Sequence, residues 1–162
     1  MLVVLTESNV TAALNEPLPY AKEMALSNAA IWKRTAADSA LRVGLSSIAA
    51  NLYQELIQLG SDDKLLADGL RLGLITAQLS EGRFKDAEEL IVQFHNQTDP
   101  RLLLRRALIL QRSKDFSMAA QVLSGVSSED LPVEDKGWFN ILRGISMLDG
   151  KDRIKAQTFF DQ

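Results

Sequence analysis

The sequence predicts an all-α chain built as a stack of antiparallel helix pairs, and three observations predict it. Apolar residues recur at helical spacing through most of the 162 residues, whereas a strand-like alternation is confined to "LVVLT" at the start. The four prolines, Pro17, Pro19, Pro100 and Pro132, fall where helices would start or stop, not inside the periodic segments. One particular helical spacing also returns along the chain, the mark of a repeat architecture.

That spacing is seen first in "EGRFKDAEELIVQF", where Phe84, Ala87, Leu90, Ile91 and Phe94 are separated by steps of 3, 3, 1 and 3. The same steps return at Phe116, Ala119, Val122, Leu123 and Val126. A partial copy upstream has Ala49, Leu52, Tyr53 and Leu56, with Ser46 in the aromatic slot. Another at the end has Ala156, Phe159 and Phe160, with Arg153 in that slot. Successive alanines, Ala49, Ala87, Ala119 and Ala156, lie 38, 32 and 37 residues apart. Steps of three and four put side chains on one helix face, and an adjacent apolar residue widens the stripe so that two flanks are buried at once. The alanine removes bulk where helix axes approach within about 8 to 10 Å. A pair of such helices leaves apolar surface uncovered until further pairs stack on it.

Taken in chain order, "ESNVTAALNE" and "PYAKEMALSNAA" predict one or two helices, so residues 1–29 read as an N-terminal helical cap or extension. Residues 30–162 read as about four helix pairs. "NAAIWKRTAADSALRVG", "LLADGLRLGLITAQLSEG", "PRLLLRRALILQRSKD" and "KGWFNILRGISMLDGKD" supply the first helix of each pair. The turns within pairs, at Gly44, "EGR", "SKD" and "DGKD", are short and make the partners antiparallel neighbours. "SGVSSEDLPVEDKG" is a longer polar connection before the fourth pair. The pattern stops at Gln162 in mid-helix with no glycine or proline, so the last pair reads as truncated and the chain as part of a longer protein.

These residues resemble the tetratricopeptide repeat family, whose unit is two antiparallel helices in about 34 residues. Gly82, Phe84 and Ala87 in "EGRFKDA" match the family's glycine, aromatic and alanine. "KDFSMA" keeps Phe116 and Ala119, with Lys114 in place of the glycine; "GLSSIA" keeps Gly44 and Ala49, with Tyr53 following; "KAQTFF" has Ala156 and Phe160. The small residue of the first helix is matched by Ala37, Ala107 and Gly144, while Ile75 holds that place in the second unit. The resemblance covers about residues 30–162 and implies a right-handed α-solenoid that acts as a protein-binding scaffold. Some members of the family clamp acidic peptide tails with lysine, arginine and asparagine on consecutive first helices. Arg34, Arg101 and Arg105 would supply charge for such a clamp, but Asp38 and Gly73 fall where asparagines belong, so that particular activity is not expected here.

Composition narrows the chemistry. Hydrophobic residues make up 46% and charged residues 24%, the balance of a folded globular chain. A net charge of −3 offers no broad positive field for nucleic acid. The absence of cysteine removes disulfides, thiolate catalysis and thiolate zinc sites. The single histidine, His95 in "FHNQTDP", reads as a solvated turn residue. The acid pairs Asp62/Asp63, Glu88/Glu89 and Glu129/Asp130 read as solvated surface, because adjacent residues on a helix do not face each other. No phosphate loop, nucleophile elbow or histidine-activated serine is present, so the expectation is a non-enzyme with no cofactor or metal. "MLVVL" is far shorter than the roughly 20 residues that span a bilayer, and no export signal surrounds it. The expectation is a soluble chain without membrane insertion, in the cytoplasm, or in the bacterial periplasm or cell envelope if a signal has been removed.

What remains is binding. In "PRLLLRRALILQRSKD" the side chains of Arg101, Arg105 and Arg112 share nearly one side of a helix. They form either a basic patch for an acidic peptide or a face paired within the chain to Glu129, Asp130, Glu134 or Asp135. Arg34, Leu72, Thr76, Leu108, Trp138 and Ile141 complete the candidate partner-binding set on the first helices. Trp138 reads either as an interface anchor or as packing against the preceding unit. The functional expectation is a protein or peptide-binding scaffold; the alternative is a structural segment that positions another domain.

Overall fold

A computed structural model describes residues 19–60, 63–149 and 153–161, with backbone alone for 19–27, 149 and 153–155. "ESNVTAALNE", the strand-like "LVVLT" and Asp62 lie outside the described residues. Among the described residues there are eight α-helices and one 3-10 turn, with no strand. The helices are α1 (Pro19–Arg42), α2 (Ser46–Gln58), α3 (Lys64–Ser80), α4 (Phe84–Val92), α5 (Pro100–Arg112), α6 (Phe116–Ser124), α7 (Val133–Asp149) and α8 (Arg153–Phe160). The 3-10 turn, Ser128–Asp130, lies within the polar connection before α7. α1 runs unbroken through position 30, so "PYAKEMALSNAA" continues the first helix instead of forming a separate one. No glycine or proline interrupts the chain between Tyr20 and Val43, which is why nothing breaks it there.

Local signals start and stop these helices. Asp63 caps α3 by accepting from Leu65 and Leu66 N–H; Asp99 caps α5 with Pro100 next to it; Asp115 caps α6 by accepting from Met118 N–H. Three of the turns within pairs share one geometry. Leu45 N–H bonds Ala40 C=O, Arg83 N–H bonds Gln78 C=O and Asp115 N–H bonds Leu110 C=O, at 2.8 to 2.9 Å. The residue before each donor is left-handed: Gly44 at φ 82°, Gly82 at φ 75° and Lys114 at φ 64°. This is the helix stop in which a left-handed residue lets the following N–H reach back to an otherwise unpaired carbonyl.

Every helix packs on the next in sequence, and α1·α3, α3·α5 and α5·α7 touch as well. The first helices of the pairs therefore form one continuous layer. No comparable contact joins one second helix to another. Three core clusters sit at the junctions, each formed by one pair and the first helix of the next. Ala37, Ala49, Tyr53 and Leu56 meet Leu70, Leu74 and Ala77. Leu72, Ile75, Ala87, Ile91 and Phe94 meet Leu102 and Ile109. Leu104, Ala107, Ala119, Leu123 and Val126 meet Leu131, Phe139 and Leu142. α3 thus gives Leu70 and Ala77 to the pair before it, and Leu72 and Ile75 to its own pair, as the widened stripe requires. Ala37, Ala49, Ala87, Ala107, Ala119 and Ala156 are all fully buried, the places where helices approach closely.

Candidate functional site

The first-helix layer carries a groove of about 790 Å³ to which α1, α3, α5 and α7 all contribute. Its apolar wall consists of Leu41, Leu79, Leu104, Leu108, Trp138 and Leu142. Its floor includes Tyr53, which comes from a second helix. Gly73 admits that ring: a Cβ at position 73 would stand 2.3 Å from Tyr53 Cζ. The Tyr53 hydroxyl donates to Asp38 Oδ1 at 2.5 Å. Burial, and then this bond to a carboxylate, push the phenol well above its ordinary value, so it stays a neutral donor.

The arginine stripe is largely engaged within the chain. Arg105 Nη1 lies 2.5 Å from Asp135 Oδ2, and both side chains are largely buried. Arg105 Nε also donates to Thr76 Oγ1 at 3.2 Å, while that hydroxyl donates to Leu72 C=O at 2.8 Å. The guanidinium therefore ties α3, α5 and α7 together. Arg101 grips Asp99 through Nε and Nη2, at 3.1 and 2.7 Å. Burial pushes the Asp99 carboxyl up, but the Arg101 hydrogen bonds and charge outweigh it and hold the group below the ordinary carboxylate range. Arg112 covers the Phe84 ring at 5.5 Å from its centroid. Asp135, one of the acids expected as a partner, is the one that takes Arg105. The groove's other charges, Asp38 and Glu134 against Arg42, leave it without a positive excess.

Of the candidate residues, Thr76, Arg105, Leu108 and Trp138 line the groove together. Leu72 is buried in the core between α3 and α5. Arg34 lies over Gly69 of α3, where a Cβ would meet its Nη2 at 3.5 Å. Arg101, Arg112 and Ile141 are outside the lining. Sequence reasoning missed Tyr53, Thr35 and Leu142, and set Asp38 aside. Thr35 and Leu142 occupy the repeat position of Arg105, and Asp38 that of Thr76 and Leu108, so carrying the register through all four first helices would have found them. Tyr53 was not accessible in that way, because it reaches the groove only through the gap at Gly73.

His95 lies in the turn between α4 and α5 with an exposed side chain, as expected, but it is also tied to a distant carboxylate. Its N–H donates to Asp68 Oδ1 at 3.0 Å, and its Nδ1 lies 2.8 Å from the same oxygen. Asn96 N–H donates to Asp68 Oδ2 at 3.0 Å, and Arg71 Nη1 stands 3.4 Å from Oδ1. Burial raises the Asp68 carboxyl, but the His95 and Asn96 hydrogen bonds, with the His95 charge, more than reverse this and leave it below its ordinary value. Asp68 thus fastens the turn between α4 and α5 to α3. Among the described residues no cluster of histidine and acidic side chains is arranged to hold a metal.

The fold and the groove define a class, an all-helical chain of consecutively packed helices with an apolar cleft along one layer. Compared with protein-family models, curated proteins and solved structures, the chain has no match in any of the three. No described helix is long and apolar enough to cross a membrane.

Proposed function

We propose that the chain is a protein-interaction module, a right-handed tetratricopeptide-like solenoid that takes an extended or helical peptide segment in its first-helix groove. The observation that carries this reading is a single groove to which all four first helices contribute, with exposed Trp138 on its wall. A polar, featureless layer would be expected of a pure spacer; here leucines and a tryptophan face a cleft large enough for several side chains. The segment it fits is led by apolar or aromatic side chains. An acidic tail finds little to bind, because Arg101 and Arg105 are already engaged by Asp99 and Asp135. No catalysis, cofactor or metal is part of this reading.

Selection from a displayed peptide library tests it. Peptides carrying two or more apolar anchors should enrich on the chain. Trp138→Ala should weaken them at least about tenfold, the scale of an aromatic anchor, and Thr35→Trp, which fills the cleft, should abolish binding. Enriched peptides that ignore both variants would refute the groove. Arg105→Ala is a poor probe, because it also strands the buried Asp135 carboxylate. A second reading, a segment that assembles end to end, is favoured by the exposed apolar residues at the two ends of the stack.

A further inference from the structure

The four first helices can be compared in register from Ala37, Ile75, Ala107 and Gly144, each twelve residues ahead of its pair's alanine. Five residues before these stand Trp32, Leu70, Leu102 and Phe139. Leu70, Leu102 and Phe139 are buried against the preceding pair, sharing core clusters with Tyr53, Ile91 and Leu123 respectively. Among the described residues no helix pair precedes Trp32, which is 74% exposed.

The opposite end shows the complement. Tyr53, Ile91, Leu123 and Phe160 hold one position on the second helices; the first three are buried, and Phe160 is 42% exposed. Its ring rests on Gly144, where a Cβ would stand 2.3 Å from Cε1. On α7, Ile141 matches Leu72 and Leu104, and Leu148 matches Gln111. Those three are buried, whereas Ile141 and Leu148 are exposed. Among the described residues, one end presents the covering residue without a surface to cover, and the other presents the surface without its cover.

We propose that the chain associates head to tail with a second copy of itself, α1 of one copy packing across α7 and α8 of the next as α7 packs across α5 and α6. Trp32 fills the place beside Phe160 that Phe139 takes beside Leu123. The argument for a second copy is continuity with an interface repeated three times inside the molecule, in which the residue at the Trp32 position always shares a core with the residue at the Phe160 position. The contact is heterologous, so it propagates to a filament or closes into a ring. It does not depend on the groove binding a peptide.

Sedimentation of the full chain across rising concentration, with two end variants, tests this. The wild type should grow beyond a dimer. Trp32→Glu and Ile141→Arg each disable one end, and each alone should remain monomeric. An equimolar mixture of the two should form a heterodimer of twice 17.9 kDa and nothing larger, because only one live head and one live tail remain. Leu108→Trp, which crowds the groove from α5, away from both ends of the stack, should leave association unchanged, so this proposal and the peptide-binding reading fail separately. A wild type that is monomeric at every concentration, single variants that still assemble, or a mixture that gives no heterodimer would each overturn it.

Discussion

At residue scale, Lys114 is where the sequence departs from its own rule and the backbone does not. It takes φ 64° in the turn where the equivalent residues are Gly44 and Gly82. A side chain in the left-handed region costs about 1 to 2 kcal/mol. Lys114→Gly should therefore stabilise the chain by about 1 kcal/mol, read as a higher urea midpoint at unchanged slope; no gain would mean that the lysine side chain makes a compensating contact. The substitution was legible in the sequence because the repeat register exposes it. The attachment of His95 to Asp68 was not, since 27 residues separate them and nothing in "FHNQTDP" names a distant carboxylate. Asp68 in the apolar run "LLADGL" was the available signal: a buried acid demands donors. Its folded value lies below the unfolded value near ~3.9, so its contribution is complete above that pH and is lost as pH falls through the folded value. Asp68→Asn should flatten the acid limb of a stability-against-pH curve; an unchanged limb would show that other carboxylates govern acid unfolding.

At element scale, α3 shows how much of the packing pattern can be read and where reading stops. Its stripe of Leu70, Leu72, Leu74, Ile75 and Ala77 announces a helix buried on two flanks, and the structure divides those residues between two cores. Gly73 within that stripe looked like a failed match to a polar clamp. Its role is steric, for it is the hole that lets the Tyr53 ring reach the groove floor. Gly73→Ala should destabilise by about 1 to 3 kcal/mol, the usual range for overpacking, and should shift the Tyr53 fluorescence. Tyr53→Phe keeps the ring and loses only the Asp38 hydrogen bond, so it should cost about 1 kcal/mol. Equal losses in the two variants would contradict the steric account. The pairing of Arg105 with Asp135 was open at the sequence level, since two helices 30 residues apart had first to be placed side by side.

At the scale of the whole molecule, the order of elements, the helix pairs and the first-helix layer follow from one recurring spacing. What did not follow is how the charges are satisfied and what the two ends expose, because both depend on which element is next to which. The junction cores imply a gradient of protection. α3 to α6 are covered on both sides, while α8 is covered on one. Native-state hydrogen exchange should therefore be slowest in α3 to α6 and fastest toward α8; uniform protection would mean that the stack opens as a single unit. The contact pattern also bears on kinetics. Substantial helix contacts reach no further than the next element but one, so folding closes only short loops and belongs with the fast, local-contact proteins that form in microseconds to milliseconds. Such a chain has no single nucleus that every path must pass, and it can lose its last pair to solvent while the pairs before it stay formed.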